Sequence, residues 1–263
     1  MGQEIIREDI IRENGGYVTR LIFNRPEKKN ALNGAALYAL GDAVREIEKE
    51  NKTRVVVLRG TGDKIFSSGA DLSGGAKQIA ETVKALEYCL EGLINFPIPV
   101  ISMIYGPAIG AGLDISVISD LRIAEEASRF GAPLVKLGRT YYYTAIERLA
   151  RLTGMAAAKE ILLTGQLINS KRALEIGLVH KVVAHSELES TVMSIAEKIA
   201  DGTAPLAVKA TKLTIKRVCE VASVDSSVEE ELKQLLDVVN KSEDAEEGVK
   251  AMLEKRKPIF KGR

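Results

Sequence analysis

Apolar positions recur along this chain with two periods. Tyr17 to Phe23 is short and rich in β-branched and aromatic residues, with Val18, Leu21 and Phe23 among its apolar positions. It predicts a strand that ends at Asn24-Arg25-Pro26, because proline withdraws a ladder donor. Leu37, Leu40, Val44 and Ile47 keep the three-to-four spacing of one helix face, which predicts a helix over 34–50 capped by Asn33. Arg54 to Arg59 holds an unbroken Val-Val-Val-Leu run, the pattern of a strand covered on both faces. A glycine-broken loop follows, then a helix over 76–94 and a second buried strand over 97–104 that Gly106-Pro107 stops. A glycine-rich turn leads from there into a helical stretch at 112–118. The second half reads as helices at 144–152, 155–163, 170–176, 186–200, 204–218, 226–240 and 243–256, interrupted by a short strand at 178–183. Strand–helix alternation argues an α/β core over 1–200, and the terminal run of helices argues a helical layer over 201–263.

Composition narrows the class. The chain has 263 residues, 46% hydrophobic and 28% charged, enough for a sizeable core without a metal or disulfide staple. Basic residues number 37 and acidic ones 36, and a net charge of +1 argues against nucleic acid as a partner. The first residues alternate apolar and charged types without an apolar signal core, and runs such as Val55 to Leu58 fall far short of the roughly 20 residues of a membrane span. Ile6 stands where myristoylation of Gly2 would want Ser or Thr. Cys89 and Cys219 lie far apart, and there is no CxxC, HExxH or GxxxxGK[ST]. A cytoplasmic protein without metal or membrane contact is expected. His180 and His185 lack a nucleophile–orienter pattern and are expected in surface or packing roles.

Two glycine-rich turns are the candidate chemistry: Phe66-Ser-Ser-Gly-Ala-Asp-Leu72 and Gly106-Pro-Ala-Ile-Gly-Ala-Gly-Leu-Asp114. Each follows a buried strand and turns toward a helix, where backbone N–H groups are left without intrahelical partners. Two such groups converging on one oxygen form an oxyanion hole, while the same glycines also serve close backbone packing. Dinucleotide binding is disfavoured, because the second turn reads GxxxGxG and does not follow the first strand.

The combination resembles the crotonase superfamily, the enoyl-CoA hydratase/isomerase family. The matching segments are Asn24-Arg-Pro26 with Lys29-Asn-Ala-Leu32, Phe66 to Asp71, Pro97-Ile-Pro-Val100, and Gly106 to Gly112. Further matches are Asp120-Leu-Arg-Ile-Ala124, Phe130-Gly131, Leu163-Thr-Gly165, Ala173 to Val179 and the Lys255–Arg263 ending, in order over nearly the whole chain. The resemblance implies a crotonase-like spiral of β-β-α units with a C-terminal helical layer, assembled as a homotrimer or dimer of trimers. It implies an acyl-CoA substrate, with coenzyme A part of that substrate and no separate cofactor. By position, the N–H groups of Ala70 and Ala111 would form the oxyanion hole. Lys29, Ala31, Ser68, Asp71 and Leu72 match positions that contact coenzyme A, and Phe260 and Lys261 would reach it from a neighbouring subunit.

The two catalytic carboxylates of the family are where this sequence departs. The first falls on Asp114, one methylene shorter than the usual glutamate; the second falls on Leu134, which handles no proton and would line the thioester site. The loop that follows carries Tyr141, Tyr142 and Tyr143, of which Tyr141 and Tyr143 are candidate proton donors or pocket walls. Hydration shared between two carboxylates would here rest on Asp114, in a setting that Ile109, Leu113 and Leu134 make apolar. Isomerisation, thioester hydrolysis, decarboxylation or mere binding of a CoA ester are therefore alternatives.

Overall fold

The computed structural model describes residues 3–71, 73, 76–137, 140–220, 230, 231, 234, 238, 241–254, 256 and 258–263. Six strands form the main sheet: β1 (Ile5–Ile11), β2 (Tyr17–Phe23), β3 (Thr53–Gly60), β4 (Val100–Ile104), β6 (Leu121–Glu125) and β9 (Lys181–Val183), in that spatial order. β1 runs antiparallel to β2 and the remaining pairs are parallel. A smaller sheet joins β5 (Pro107–Ile109), β7 (Arg129–Gly131) and β8 (Ile168–Asn169). β1, β5, β6, β7 and β8 are additions to the elements read from the sequence, β5 lying within the expected glycine-rich turn; the expected strand at 97–104 begins only at Val100, and that at 178–183 only at Lys181.

Alternation along the strands decides what covers each face. Val56 and Leu58 of β3 point into one core with Leu37, Leu40, Val44 and Ile47 of α1 (Gly34–Glu50) and Ala85, Cys89 and Leu93 of α2 (Ala76–Asn95). Val55 and Val57 point the other way, with Ile101 and Met103, onto Leu188, Val192, Ala196 and Ala200 of α7 (Leu188–Gly202). The centre of β3, Val55 to Leu58, is apolar without a break for this reason: both faces are covered. Asn33 caps α1 by accepting the Ala36 N–H at 2.8 Å, a contact worth about 1 kcal/mol.

The remaining helices are α3 (Ala111–Ile118), α4 (Tyr143–Thr153), α5 (Met155–Thr164), α6 (Ser170–Glu175), α8 (Pro205–Glu220) and α9 (Glu243–Glu254). The helix expected over 226–240 falls largely outside the described residues. α3 is short and enclosed. Its C-terminal carbonyls at Ser116, Val117 and Ser119 accept from the buried Arg122 guanidinium, which also donates to Leu178 O at 2.6 Å. Burial lowers the Arg122 pKa to about 10. No described helix is long and apolar enough to cross a membrane.

Candidate active site

Both glycine turns leave the C-terminal ends of parallel strands, the first after β3 and the second after β4, where open parallel sheets bind ligands. The backbone sews them together. Ser67 N–H donates to Pro107 O at 3.1 Å and Ile109 N–H to Ser67 O at 3.0 Å. On the other side Leu32 N–H donates to Gly69 O and Asp71 N–H to Leu32 O. In such a parallel bridge Ala70 turns its own N–H away from Leu32. Gly69 has φ of +97°, and a Cβ there would stand 2.8 Å from Ile109 O, so only glycine lets the turns approach this closely. The Ala111 N–H heads α3 behind Gly110, whose φ is +52°. Neither the Ala70 nor the Ala111 N–H meets an acceptor among the described residues. Two free donors on abutting turns, one of them at a helix N-terminus, favour a developing negative charge.

Asp114 lies one turn into α3, its side chain only 5% exposed. It accepts from Arg148 of α4 in a fork, with Nε to Oδ1 at 3.1 Å, Nη2 to Oδ1 at 3.0 Å and Nη2 to Oδ2 at 2.8 Å. Three of its roughly four lone-pair positions are thereby used, which leaves one on Oδ2 for a proton. Burial raises the Asp114 pKa above the usual carboxylate range, and the Arg148 hydrogen bonds and charge oppose that rise. The sequence pointed to an apolar setting for Asp114; the structure adds a cation. Arg148 carries no motif of its own, and its separation of 34 residues from Asp114 left no signal to find it.

Tyr141 and Tyr143 part company. The Tyr141 hydroxyl donates to Gly110 O at 2.6 Å. That carbonyl belongs to the same peptide unit as the Ala111 N–H, so the bond fixes the plane of the donor and polarises it. Burial raises the Tyr141 pKa well above that of a free phenol. Tyr143 begins α4 and is 80% exposed, so the structure does not bring it to the turns within this protomer. Leu134 sits in the 3₁₀ segment Pro133–Leu137, half-buried against the same core as Tyr141. Both line a cavity of about 230 Å³ with Ile146, Ala150 and Leu162.

The residues matched to coenzyme A contact gather on the first turn. Lys29 is exposed, in the left-handed region at φ 54°, and its carbonyl accepts the Ser68 N–H. Arg25 donates to Ala31 O at 2.8 Å and to Asp71 Oδ2 at 2.9 Å. Ser73, through its side chain and backbone, and Arg25 hold the Asp71 pKa down to about 2. Asn30, part of the matching segment but given no role there, is fully buried and ties these residues together. Its Nδ2 donates to Ile65 O at 2.9 Å, and its own carbonyl accepts Ser67 Oγ at 2.8 Å. Leu72 lies outside the described residues. Phe260 is buried, and its carbonyl meets Arg54 at the start of β3. Lys261 N–H meets Asp244 of α9. Both lie at the end of β3 opposite its own glycine turn, so they do not reach the site of their own protomer.

Comparison with known proteins bears on the family and the fold. The family model for enoyl-CoA hydratase/isomerase matches residues 13–263. The short-chain-enoyl-CoA hydratase of Clostridium acetobutylicum is 36% identical over 255 residues, which cover 95% of this chain and 96% of that one. The methylmalonyl-CoA decarboxylase of Escherichia coli is 34% identical over 245 residues, 91% of this chain and 93% of that one. The crystal structure of an enoyl-CoA hydratase from Bacillus anthracis superimposes with a TM-score of 0.91 at 34% identity, covering 99% of this chain and 100% of that one.

Proposed function

We propose, on the premise that this chain belongs to the enoyl-CoA hydratase/isomerase family of acyl-CoA enzymes, that it hydrates an enoyl-CoA through the Ala70 and Ala111 N–H groups and Asp114. The observation that carries this reading is the pair of unpartnered donors on abutting turns, with one buried carboxylate a turn further along the helix that Ala111 heads. The thioester oxygen accepts from both N–H groups and takes up negative charge as the oxygen of water bonds to the β carbon. Asp114 removes the proton from that water and returns it to the α carbon, so water adds across the double bond with a single acid/base. Burial raises the Asp114 pKa, which suits a group that must both take and give a proton. Arg148 keeps its free lone pair aimed at the substrate. Tyr141 acts as a positioning residue, because its proton is committed to Gly110.

Lys29, Ala31, Ser68 and Asp71, with Leu72, form the coenzyme A wall in this reading, and Leu134 lines the acyl side. The enzyme works in the cytoplasm as a homotrimer or dimer of trimers, with Phe260 and Lys261 serving a neighbour's site and no cofactor beyond the coenzyme A of the substrate. Decarboxylation of a carboxyacyl-CoA is the second reading. It is favoured by Leu134, which leaves no second carboxylate to repel an anionic substrate, and by the likeness to the Escherichia coli decarboxylase.

Loss of the conjugated thioester's ultraviolet absorbance on mixing with crotonyl-CoA tests the first reading beside an Asp114→Ala variant. Fast loss that Asp114→Ala abolishes supports hydration. No loss, with carbon dioxide released from methylmalonyl-CoA, replaces it with decarboxylation.

A further inference from the structure

Behind the second turn lies a group of side chains that the proposed chemistry does not use. Glu125, the last residue of β6, is buried, and its Oε1 accepts the Gly106 N–H at 2.6 Å. Gly106 opens the second turn at φ +57°, and a Cβ there would fall on the Lys64 carbonyl. The other Glu125 oxygen meets His185 Nδ1, and His185 Nε2 reaches Asp63 Oδ2 at 3.3 Å. Asp63 belongs to the loop that leads into the first turn, so one imidazole spans the approaches to both. The sequence expects His185 in a surface or packing role; its side chain is 54% exposed, and from that surface position it also bridges Glu125 and Asp63.

We infer that Glu125, braced by His185, is a positioning residue that holds the Ala70 and Ala111 N–H groups in register for the thioester oxygen. This rests on the reading of those two groups as the thioester's donors. The geometry is consistent from strand to turn. β4 and β6 are paired through Ile104 and Ala124, so Glu125 stands beside the residues where β4 gives way to the turn. A carboxylate accepting from a backbone N–H and a histidine at once fixes that N–H more firmly than solvent can. The groups around His185 are Glu125, Asp63 and the Tyr105 ring at 5.0 Å, with Arg59 near that ring and Glu189 paired to Arg59. The Glu125 and Asp63 contacts raise the His185 pKa, so the bridge is charged at neutral pH more fully than a free histidine would be.

The test uses 4-(dimethylamino)cinnamoyl-CoA, a chromophoric enoyl thioester whose absorbance moves to the red when its carbonyl is polarised. Glu125→Ala is expected to bind it within about threefold of wild type, lose most of the red shift and turn over roughly 10- to 100-fold more slowly, as loss of an aligned donor does. Glu125→Gln, which keeps the acceptor for Gly106, is expected to restore most of the shift. In wild type the shift should weaken as His185 loses its proton, and in His185→Gln it should not vary with pH. Hydrogen exchange of the ligand-free proteins gives a second readout, with faster exchange expected over 106–112 in Glu125→Ala. An unchanged red shift in Glu125→Ala, or a pH dependence that survives in His185→Gln, overturns the inference. A wild-type complex without any red shift overturns the thioester reading itself, and exchange over 106–112 then decides the clamp alone: unchanged exchange defeats it. If Glu125→Ala fails to fold, Glu125→Gln and His185→Gln carry the same comparison.

Discussion

Two carboxylates in this molecule each hold an arginine at nearly the same distance, Asp71 with Arg25 at 2.9 Å and Asp114 with Arg148 at 2.8 Å, yet their acidities move in opposite directions. Asp71 stands on the rim and adds two hydrogen bonds from Ser73, which hold it ionised. Asp114 is enclosed by α2, α3 and α4, and loss of water outweighs the fork from Arg148. An ion pair therefore does not define a function; its solvation does. In the proposed reaction the rim pair would build a wall, and the buried pair would hold the proton donor and acceptor in place.

The largest break in that comparison is expected from Arg148→Met. It leaves Asp114 enclosed without a cation, which should cost about 3 kcal/mol of unfolding free energy in a denaturant titration. It should also lower crotonyl-CoA turnover at neutral pH about 100-fold. Removing a cation raises the Asp114 pKa further, so the acidic limb of the rate profile should move to higher pH. Asp114 binds its proton more tightly folded than unfolded. Its ionisation therefore costs nothing below the unfolded value near 3.9, and the cost is complete above the raised folded value. Next is Tyr141→Phe. It removes one of the two hydrogen bonds that Gly110 O accepts, the Asp114 N–H keeping the other, and should lower kcat about tenfold with little change in KM. Leu134→Glu should raise hydration of crotonyl-CoA about tenfold, below the full range of a second acid/base because the new charge is half-buried.

The smallest effect is expected at the rim. Asp71 has a folded pKa of about 2, below the unfolded value near 3.9. Its contribution is therefore present above that unfolded value and is lost as pH falls through about 2. Arg25→Met should cost about 1 kcal/mol more above pH 4 than below pH 2, the lost Ala31 O contact being common to both, read by urea unfolding at the two pH values.

What the sequence made legible follows from local physics. The Asn33 cap, the single face of α1 and the unbroken β3 run are each written within one turn or one strand, and they stand where the pattern put them. The glycine turns were legible because glycine answers to a backbone constraint that a neighbouring chain imposes. β7 and β8 were not, since two or three residues show no period. β1 was hidden because three consecutive charged residues, Arg7, Glu8 and Asp9, break any period of two on an edge strand that pairs only with β2. Arg148 and Glu125 act through partners 34 and 60 residues away, and single-sequence patterning carries no information on such pairs.

The supports of α3 are divided between its ends. Tyr141 and Gly131 hold the peptide at its head, Arg122 closes the carbonyls at its foot, and neither support touches the Asp114 carboxylate. The side chains that hold the cradle for the thioester oxygen are thus distinct from the carboxylate that would handle the proton, although both belong to one helix and the Asp114 N–H itself donates to Gly110 O at 3.0 Å. A lineage built on this helix can trade its acids and bases without rebuilding the cradle. The leucine at position 134 then reads as one such trade, and a library varied at positions 114 and 134, with Arg148 exchanged wherever Asp114 is lost so that no enclosed cation stands unpaired, would explore new reactions on a scaffold that stays folded.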